Sequence, residues 1–155
     1  MNELMKENNI KIIFDLSGSM NELGRRAVLR TYFAAIHKQY PDIQFWGWNK
    51  TVFPVLKVKD IVARDIVSGE ALVKFLGQGK NGGVFLLVSD GIWEKGIAED
   101  IFTAARKKIL SVQIGAYAKN LMLSEAAGNS KKVWEIEDLS MLLHHLLNGM
   151  EVDCD

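Results

Sequence analysis

The chain alternates short apolar runs with amphipathic stretches, which is the pattern of a parallel sheet covered by helices. Several apolar runs lack the polar alternation of a half-exposed strand, so they predict strands buried on both faces. The predicted strands are 10–14, Ile43–Trp48, Thr51–Val55, Val84–Val88, Ile109–Ala116 and Val133–Ile136. Helical spacing of apolar residues predicts helices around 28–36, 71–76, 97–105, 121–127 and 139–147.

One connection in this pattern is a hairpin rather than a helical crossover. Asn49 and Lys50 form the predicted turn between Ile43–Trp48 and Thr51–Val55. Because Pro54 cannot donate to a strand ladder, the second arm is predicted to be the edge strand. The alternation as a whole predicts an α/β fold: a three-layer, doubly wound, mainly parallel sheet with one antiparallel edge strand.

Length and charge limit the functional classes. At 155 residues and 48% hydrophobic content, the chain predicts one domain over 1–155, with 1–8 and 150–155 as flexible tails. Basic and acidic residues both number 19, so electrostatics favours neither nucleic acid nor an anionic membrane as a partner. The single cysteine, Cys154, excludes an intrachain disulfide. We see no signal peptide or membrane-spanning run, and we expect a soluble cytoplasmic protein.

Candidate chemistry is concentrated where two buried strands end. Asp15, Ser17 and Ser19 follow the first strand in the turn opened by Gly18, and Asp90 follows the strand Val84–Val88. In a doubly wound sheet these strand ends lie at the same edge, which brings the two carboxylates close together. Like charges in proximity need compensation, and hard cations such as Mg²⁺ prefer oxygen ligands. The alternative is that these residues only cap the helices that follow them.

The residues Asp15-x-Ser17-x-Ser19 and Val88-Ser89-Asp90-Gly91 resemble the metal-ion-dependent adhesion site of von Willebrand factor A domains. The resemblance implies one Mg²⁺ or Mn²⁺ ion held by Asp15, Ser17, Ser19, Asp90 and a threonine from a second loop. It also implies a non-enzymatic interaction module in which an Asp or Glu of a protein partner completes the coordination. Small intracellular proteins of this kind work beside AAA-type ATPases or in multiprotein assemblies.

The second-loop ligand departs from the family pattern. The best register places Ser68-Gly69-Glu70 where the family has Gly-Gly-Thr, so the threonine is replaced by Glu70. A different loop path lets Ser68 supply the neutral hydroxyl instead, and we favour Ser68 slightly. Trp93 and the Asn49-Lys50 turn are expected on the same rim, where they would contact the partner. The alternative for Trp93 is that it folds back onto the core.

Two other functions compete with the interaction module. One is a Mg²⁺-dependent phosphohydrolase that uses Asp15 as its nucleophile. Such enzymes commonly have a second aspartate two residues later as the general acid, and this chain has Ser17 there, which cannot donate a proton in the same pKa range. The other is a degenerate domain that keeps the fold and binds its partner without a metal.

Overall fold

Six strands form a single sheet in a computed structural model that describes residues 6–78, 83–105, 108–115 and 121–149. The strands are β1 (Ile10–Asp15), β2 (Gln44–Trp48), β3 (Val52–Pro54), β4 (Val84–Ser89), β5 (Ile109–Gln113) and β6 (Val133–Glu135). The helices are α1 (Arg25–Gln39), α2 (Gly69–Gly77), α3 (Ile97–Ala105), α4 (Leu121–Ala127) and α5 (Leu139–Leu147). Of the predicted tails 1–8 and 150–155, residues 1–5 and 150–155 lie outside the described residues, and Glu7–Asn9 forms a 3-10 turn that leads into β1.

The order across the sheet is β3-β2-β1-β4-β5-β6, with only the β2–β3 pair antiparallel. The predicted α/β class, the mainly parallel sheet and the antiparallel edge strand are confirmed. From β1 the chain first builds outward through β2 and β3, and then crosses to β4 on the other side. A crevice therefore opens at the carboxyl ends of β1 and β4, which is where doubly wound sheets bind ligands.

Each face of the sheet buries its own hydrophobic cluster, which accounts for the three layers. Ile12 and Phe14 of β1 pack on the α1 and α5 side, whereas Ile13 faces α2, α3 and α4. Side chains alternate across a strand, so Asp15 follows Ile13 onto the α2 and α3 side. Within the part of the chain that the structure describes, no helix has the length and apolar character needed to cross a membrane.

The entry to α1 differs from the sequence prediction. Ser19 does not cap this helix, because residues Gly18–Gly24 form 3-10 turns and the helix begins only at Arg25. The amide of Asn21 instead donates to the Ala63 carbonyl oxygen at 2.6 Å, and the left-handed Gly24 (φ 74°) stands at the N-cap. This detour lengthens the loop after β1 and places Arg25, rather than a serine, at the start of the helix.

We expect Gly47→Ala in β2 to destabilise the fold, because a Cβ at this position would lie 2.5 Å from the Phe53 ring and 2.8 Å from Leu16 Cδ1. Overpacking of this kind costs about 1–3 kcal/mol. The measurement is the free energy of unfolding in urea. Gly77→Ala is the matched control, because nothing lies within 4 Å of its added Cβ and alanine is the better helix former. Equal stabilities of the two variants would contradict the close packing at Gly47.

Candidate metal centre

The Asp15 carboxylate lies at the floor of the crevice and is fully buried. Its Oδ1 accepts from the Ser17 backbone N–H at 2.9 Å. Its Oδ2 accepts from the Ser89 hydroxyl at 2.6 Å and from Trp93 Nε1 at 3.1 Å. Phe14 pairs with Val88 across β1 and β4, so Asp15 and Ser89 are the next residues along each strand. All of these donors are neutral.

The environment of Asp15 disfavours its charged form. Burial raises the pKa of the Asp15 carboxyl above its ordinary value of 3.8, hydrogen bonds from Ser89 and Ser17 act against that rise, and the Asp90 charge adds to it. None of the causes of this pKa shift is a cationic side chain of the described residues. When it is ionised, the Asp15 carboxylate is therefore a buried negative charge whose hydrogen-bond donors are all neutral.

Two serine hydroxyls extend the oxygen array above Asp15. Ser17 Oγ and Ser19 Oγ lie 3.1 Å apart, and both line a cleft of about 470 Å³ that opens to the surface. Ser17 is buried, and its loop is fixed from below because Gly18 N donates to the Asp65 carbonyl oxygen at 2.8 Å. The loop thus brings the two hydroxyls together at the cleft, while Asp15 lies beneath the cleft lining and is joined to the loop through the Ser17 backbone N–H.

The second carboxylate, Asp90, is paired with a cation from the protein itself. Arg25 Nη1 donates to Asp90 Oδ2 at 3.0 Å, and the two side chains are 9% and 2% exposed. Asp90 Oδ1 accepts from the Ile92 backbone N–H at 3.0 Å. Arg25 is the first residue of α1, and its side chain points to the sheet edge where Asp90 lies.

The two candidates for the second-loop ligand have different surroundings. Ser68 Oγ accepts from the Ala71 backbone N–H at 3.2 Å and so caps α2, while its carbonyl oxygen accepts from Trp48 Nε1 at 2.8 Å. Glu70 is exposed in the first turn of that helix. Among the described residues, no hydrogen bond joins Ser68 or Glu70 to the hydroxyls of Ser17 and Ser19.

The three predicted partner-contact residues occupy three distinct environments. Trp93 is only 9% exposed, packs edge-on against Trp48 with ring centroids 5.7 Å apart, and donates to Asp15. Asn49 is buried and accepts through its carbonyl oxygen from Ser68 N. Lys50 is exposed, with Nζ 3.8 Å from Asp65 Oδ1 beside the cleft.

Exposed apolar residues, which the sequence reading did not single out, form the rim of the cleft. Ile66 is 68% exposed and Ile92 is 60% exposed, and both line the cleft that contains Ser17 and Ser19. Ser89 and Arg25 were also missed as site residues. Ser89 lay within the quoted motif, so its position could have been assigned, whereas Arg25 carries no local signal because it reads as one of several polar helix positions.

The donor set suits a hard divalent cation. A buried carboxylate with only neutral partners stands beside two hydroxyl oxygens 3.1 Å apart, and all of these atoms are oxygens. Asp15, Ser17 and Ser19 would hold the ion, and Asp90 would join them with an oxygen that Arg25 now occupies. No group of three or more His, Cys, Asp or Glu side chains suited to a metal occurs in the described ranges, so the hydroxyls are essential to this set.

Comparison with known proteins adds evidence on the fold. No protein-family model matches the chain, and a search of curated proteins also gave no match. Three structures of proximal thread matrix protein 1 from the mussel byssus are similar to it, with TM-scores of 0.63, 0.61 and 0.60 at 16%, 12% and 15% sequence identity. Each match covers 89% of this chain and 44% of the neighbour's, so this chain spans less than half of their length.

One of these neighbours has a zinc-occupied metal-ion-dependent adhesion site motif. At this level of identity the likeness establishes the fold alone. The chain is a doubly wound α/β domain with an oxygen-rich crevice at the carboxyl end of its sheet. Its fold is that of a von Willebrand factor A domain, as the sequence motifs predicted.

The raised pKa of Asp15 predicts a specific pH dependence of stability, measured with a chelator present. The folded chain takes up a proton at Asp15 at a higher pH than the unfolded chain does. The stability contributed by this group is therefore full below pH 3.8 and is lost as the pH rises through the raised pKa. Relative to Asp15→Asn, the wild type should gain free energy of unfolding as the pH falls from about 7.

Asp60→Asn is the control with the opposite sign. Hydrogen bonds from the backbone N–H groups of Leu56 and Lys57 lower the pKa of Asp60. Its contribution is present above the ordinary pKa and is lost as the pH falls through the lowered value. Chemical denaturation of the three proteins across the pH range tests both signs, and a wild type that loses stability relative to Asp15→Asn on acidification would contradict the prediction.

Proposed function

We propose that this chain is a non-enzymatic interaction module that binds an Asp or Glu side chain of a protein partner through a divalent cation. The ligands in this proposal are Asp15, Ser17, Ser19 and Asp90, completed by Ser68 or Glu70. A bound Mg²⁺ or Mn²⁺ would leave one coordination position open for the partner's carboxylate. A partner of this kind is a component of a multiprotein assembly, such as an AAA-type ATPase.

One observation carries this proposal: Asp15 is a fully buried carboxylate with neutral partners, and it borders two convergent hydroxyls in an open cleft. Taking an ionised carboxylate out of water is costly unless a charge compensates for it. A cation at Ser17 and Ser19 offsets that cost. The von Willebrand factor A fold and the zinc-occupied motif of one structural neighbour support a divalent ion at this place in the fold.

The exposed side chains around the cleft support a protein as the ligand. Ile66 and Ile92 flank the serine hydroxyls and present apolar surface to solvent. A peptide whose acidic residue reaches the ion would bury its neighbouring residues against these isoleucines. Lys50 lies beside the same cleft and would contribute at the polar rim of such an interface.

An enzyme that uses Asp15 as a nucleophile is less well supported. Ser17 stands two residues after Asp15, where such enzymes commonly have the aspartate that acts as the general acid. The second candidate function is a metal-independent interaction domain, which is favoured by the salt bridge between Arg25 and Asp90, because that bridge already balances one of the two carboxylates.

Calorimetric titration with MgCl₂ and MnCl₂ tests the metal site. We expect the wild type to bind with one-to-one stoichiometry, Asp15→Asn to lose binding, and Ser17→Ala to bind about 10–100-fold more weakly because one ligand is gone. Ser140→Ala, an exposed serine of α5, is the matched control and should bind as the wild type does. Absence of heat with the wild type would leave the metal-independent domain as the better account.

Peptide selection tests the partner's chemistry. Peptides from a random display library should be retained in Mn²⁺ and released by chelator, and they should share an Asp or Glu. Changing that residue to Asn or Gln should abolish retention. Ile92→Ser should weaken peptide binding about tenfold by removing apolar contact without changing the affinity for Mn²⁺. Retention that persists in chelator, or selected peptides without a common acidic residue, would overturn carboxylate capture.

A further inference from the structure

We propose that Arg25 is a built-in counter-cation of this site, which balances Asp90 in the metal-free protein and thereby limits the affinity for divalent cations. This inference rests on the proposed metal site, but it concerns a residue outside the ligand set. Arg25 is buried at the start of α1 and contacts the loops that follow β1, β4 and β5. Its salt bridge to Asp90 brings a full positive charge to an acidic group of the site.

The guanidinium of Arg25 makes hydrogen bonds to three different loops. Nη1 donates to Asp90 Oδ2 at 3.0 Å and to the Ser19 carbonyl oxygen at 3.2 Å, and Nη2 lies 3.5 Å from the Gly115 carbonyl oxygen. A Cβ added at Gly115 would lie 2.4 Å from Arg25 Nε, and Gly115 has a φ of +80°. The loop after β5 therefore makes room for the guanidinium by means of a glycine.

The pairing itself is incomplete for a buried arginine. A guanidinium and a carboxylate commonly form two parallel hydrogen bonds, and here a single nitrogen contacts a single oxygen. Arg25 Nε is buried without a hydrogen-bond partner among the described residues, which is costly. Arg25 therefore supplies its positive charge to Asp90 through one hydrogen bond rather than two.

The formal charge of the site explains the effect on affinity. Asp15 and Asp90 contribute two negative charges when ionised, and Arg25 removes one of them. For Asp90 Oδ2 to become a ligand, Arg25 Nη1 must release it. Affinity for hard cations depends on the charge of the ligand set, so the wild type should bind more weakly than the same ligands without Arg25.

The test is Arg25→Gln, titrated with MnCl₂ by calorimetry. Removing one positive charge a few ångströms from a divalent ion should tighten Mn²⁺ binding on the order of tenfold, even with strong solvent screening. Arg26→Gln is the matched control, since it makes the same change in net charge at an exposed neighbouring position of the same helix. It should leave the affinity within about twofold of the wild type.

Thermal unfolding supplies a readout that does not depend on partner binding. Without metal, Arg25→Gln should melt at a lower temperature than the wild type, because it removes the salt bridge between Arg25 and the buried Asp90. Saturating Mn²⁺ should raise its melting temperature by more than it raises that of the wild type. A purely structural role for Arg25 predicts the same loss of stability without this recovery.

Arg25→Lys covers the case in which the glutamine variant does not fold. Lysine keeps the charge near Asp90 but cannot also reach the carbonyl oxygens of Ser19 and Gly115 in the same fork. If Arg25 acts through its charge, the lysine variant should bind Mn²⁺ within about threefold of the wild type. Loss of Mn²⁺ binding in this variant would show that Arg25 positions the loops instead, and would overturn the inference.

The inference and the proposed function can fail separately. A wild type without Mn²⁺ binding and an Arg25→Gln variant that binds would remove metal capture by the natural chain and support Arg25 as its counter-cation. Equal affinities in the wild type, Arg25→Gln and Arg26→Gln would overturn the inference and leave the metal site intact. No binding and no thermal recovery in a folded Arg25→Gln variant would also overturn the inference.

Discussion

Two carboxylates buried at one edge of a parallel sheet impose the constraint on which this structure depends. Asp15 and Asp90 end adjacent strands, and burial prevents water from screening either charge. Their partners differ. Asp15 accepts hydrogen bonds from the neutral donors of Ser17, Ser89 and Trp93, whereas Asp90 forms a salt bridge with the charged Arg25. One carboxylate is thus left with a charge to be offset, and the other has been offset already.

The hydrogen bonds of the two carboxylates connect the buried core to the exposed rim of the cleft. Trp93 reaches down to Asp15 from the α3 side and packs on Trp48, so an aromatic pair forms one wall of the crevice. The next exposed residue on that wall is Ile92, whose backbone N–H binds the other carboxylate. The surface that a partner would meet is therefore fixed by hydrogen bonds to the same acidic groups that would hold an ion.

The fold was predictable from sequence because each element carries its own local pattern. The unbroken apolar runs of β1 and β4 and the proline of β3 were enough to place the strands and the sheet edge. The proximity of Ser17 and Ser19 to Asp15 was predictable because all three residues lie where β1 ends. Arg25 was not predictable, since its role depends on a contact 65 residues away and on the unexpected 3-10 turns before α1. The Ser68 hydroxyl likewise could not be assigned, because helix capping and ligation use the same residue types.

The hydrogen bond from Ser89 to Asp15 joins residues 74 positions apart, so the crevice does not exist until the central strand pair has formed. Pairing between such distant segments is slow relative to helix formation. A chain in which β1 and β4 have not paired therefore lacks the site. A shift of β4 by one residue would turn Ser89 to the opposite face and bring Asp90 or Val88 to its place. Ligand binding at this crevice would therefore depend on the register between β1 and β4 as well as on the ligand residues themselves.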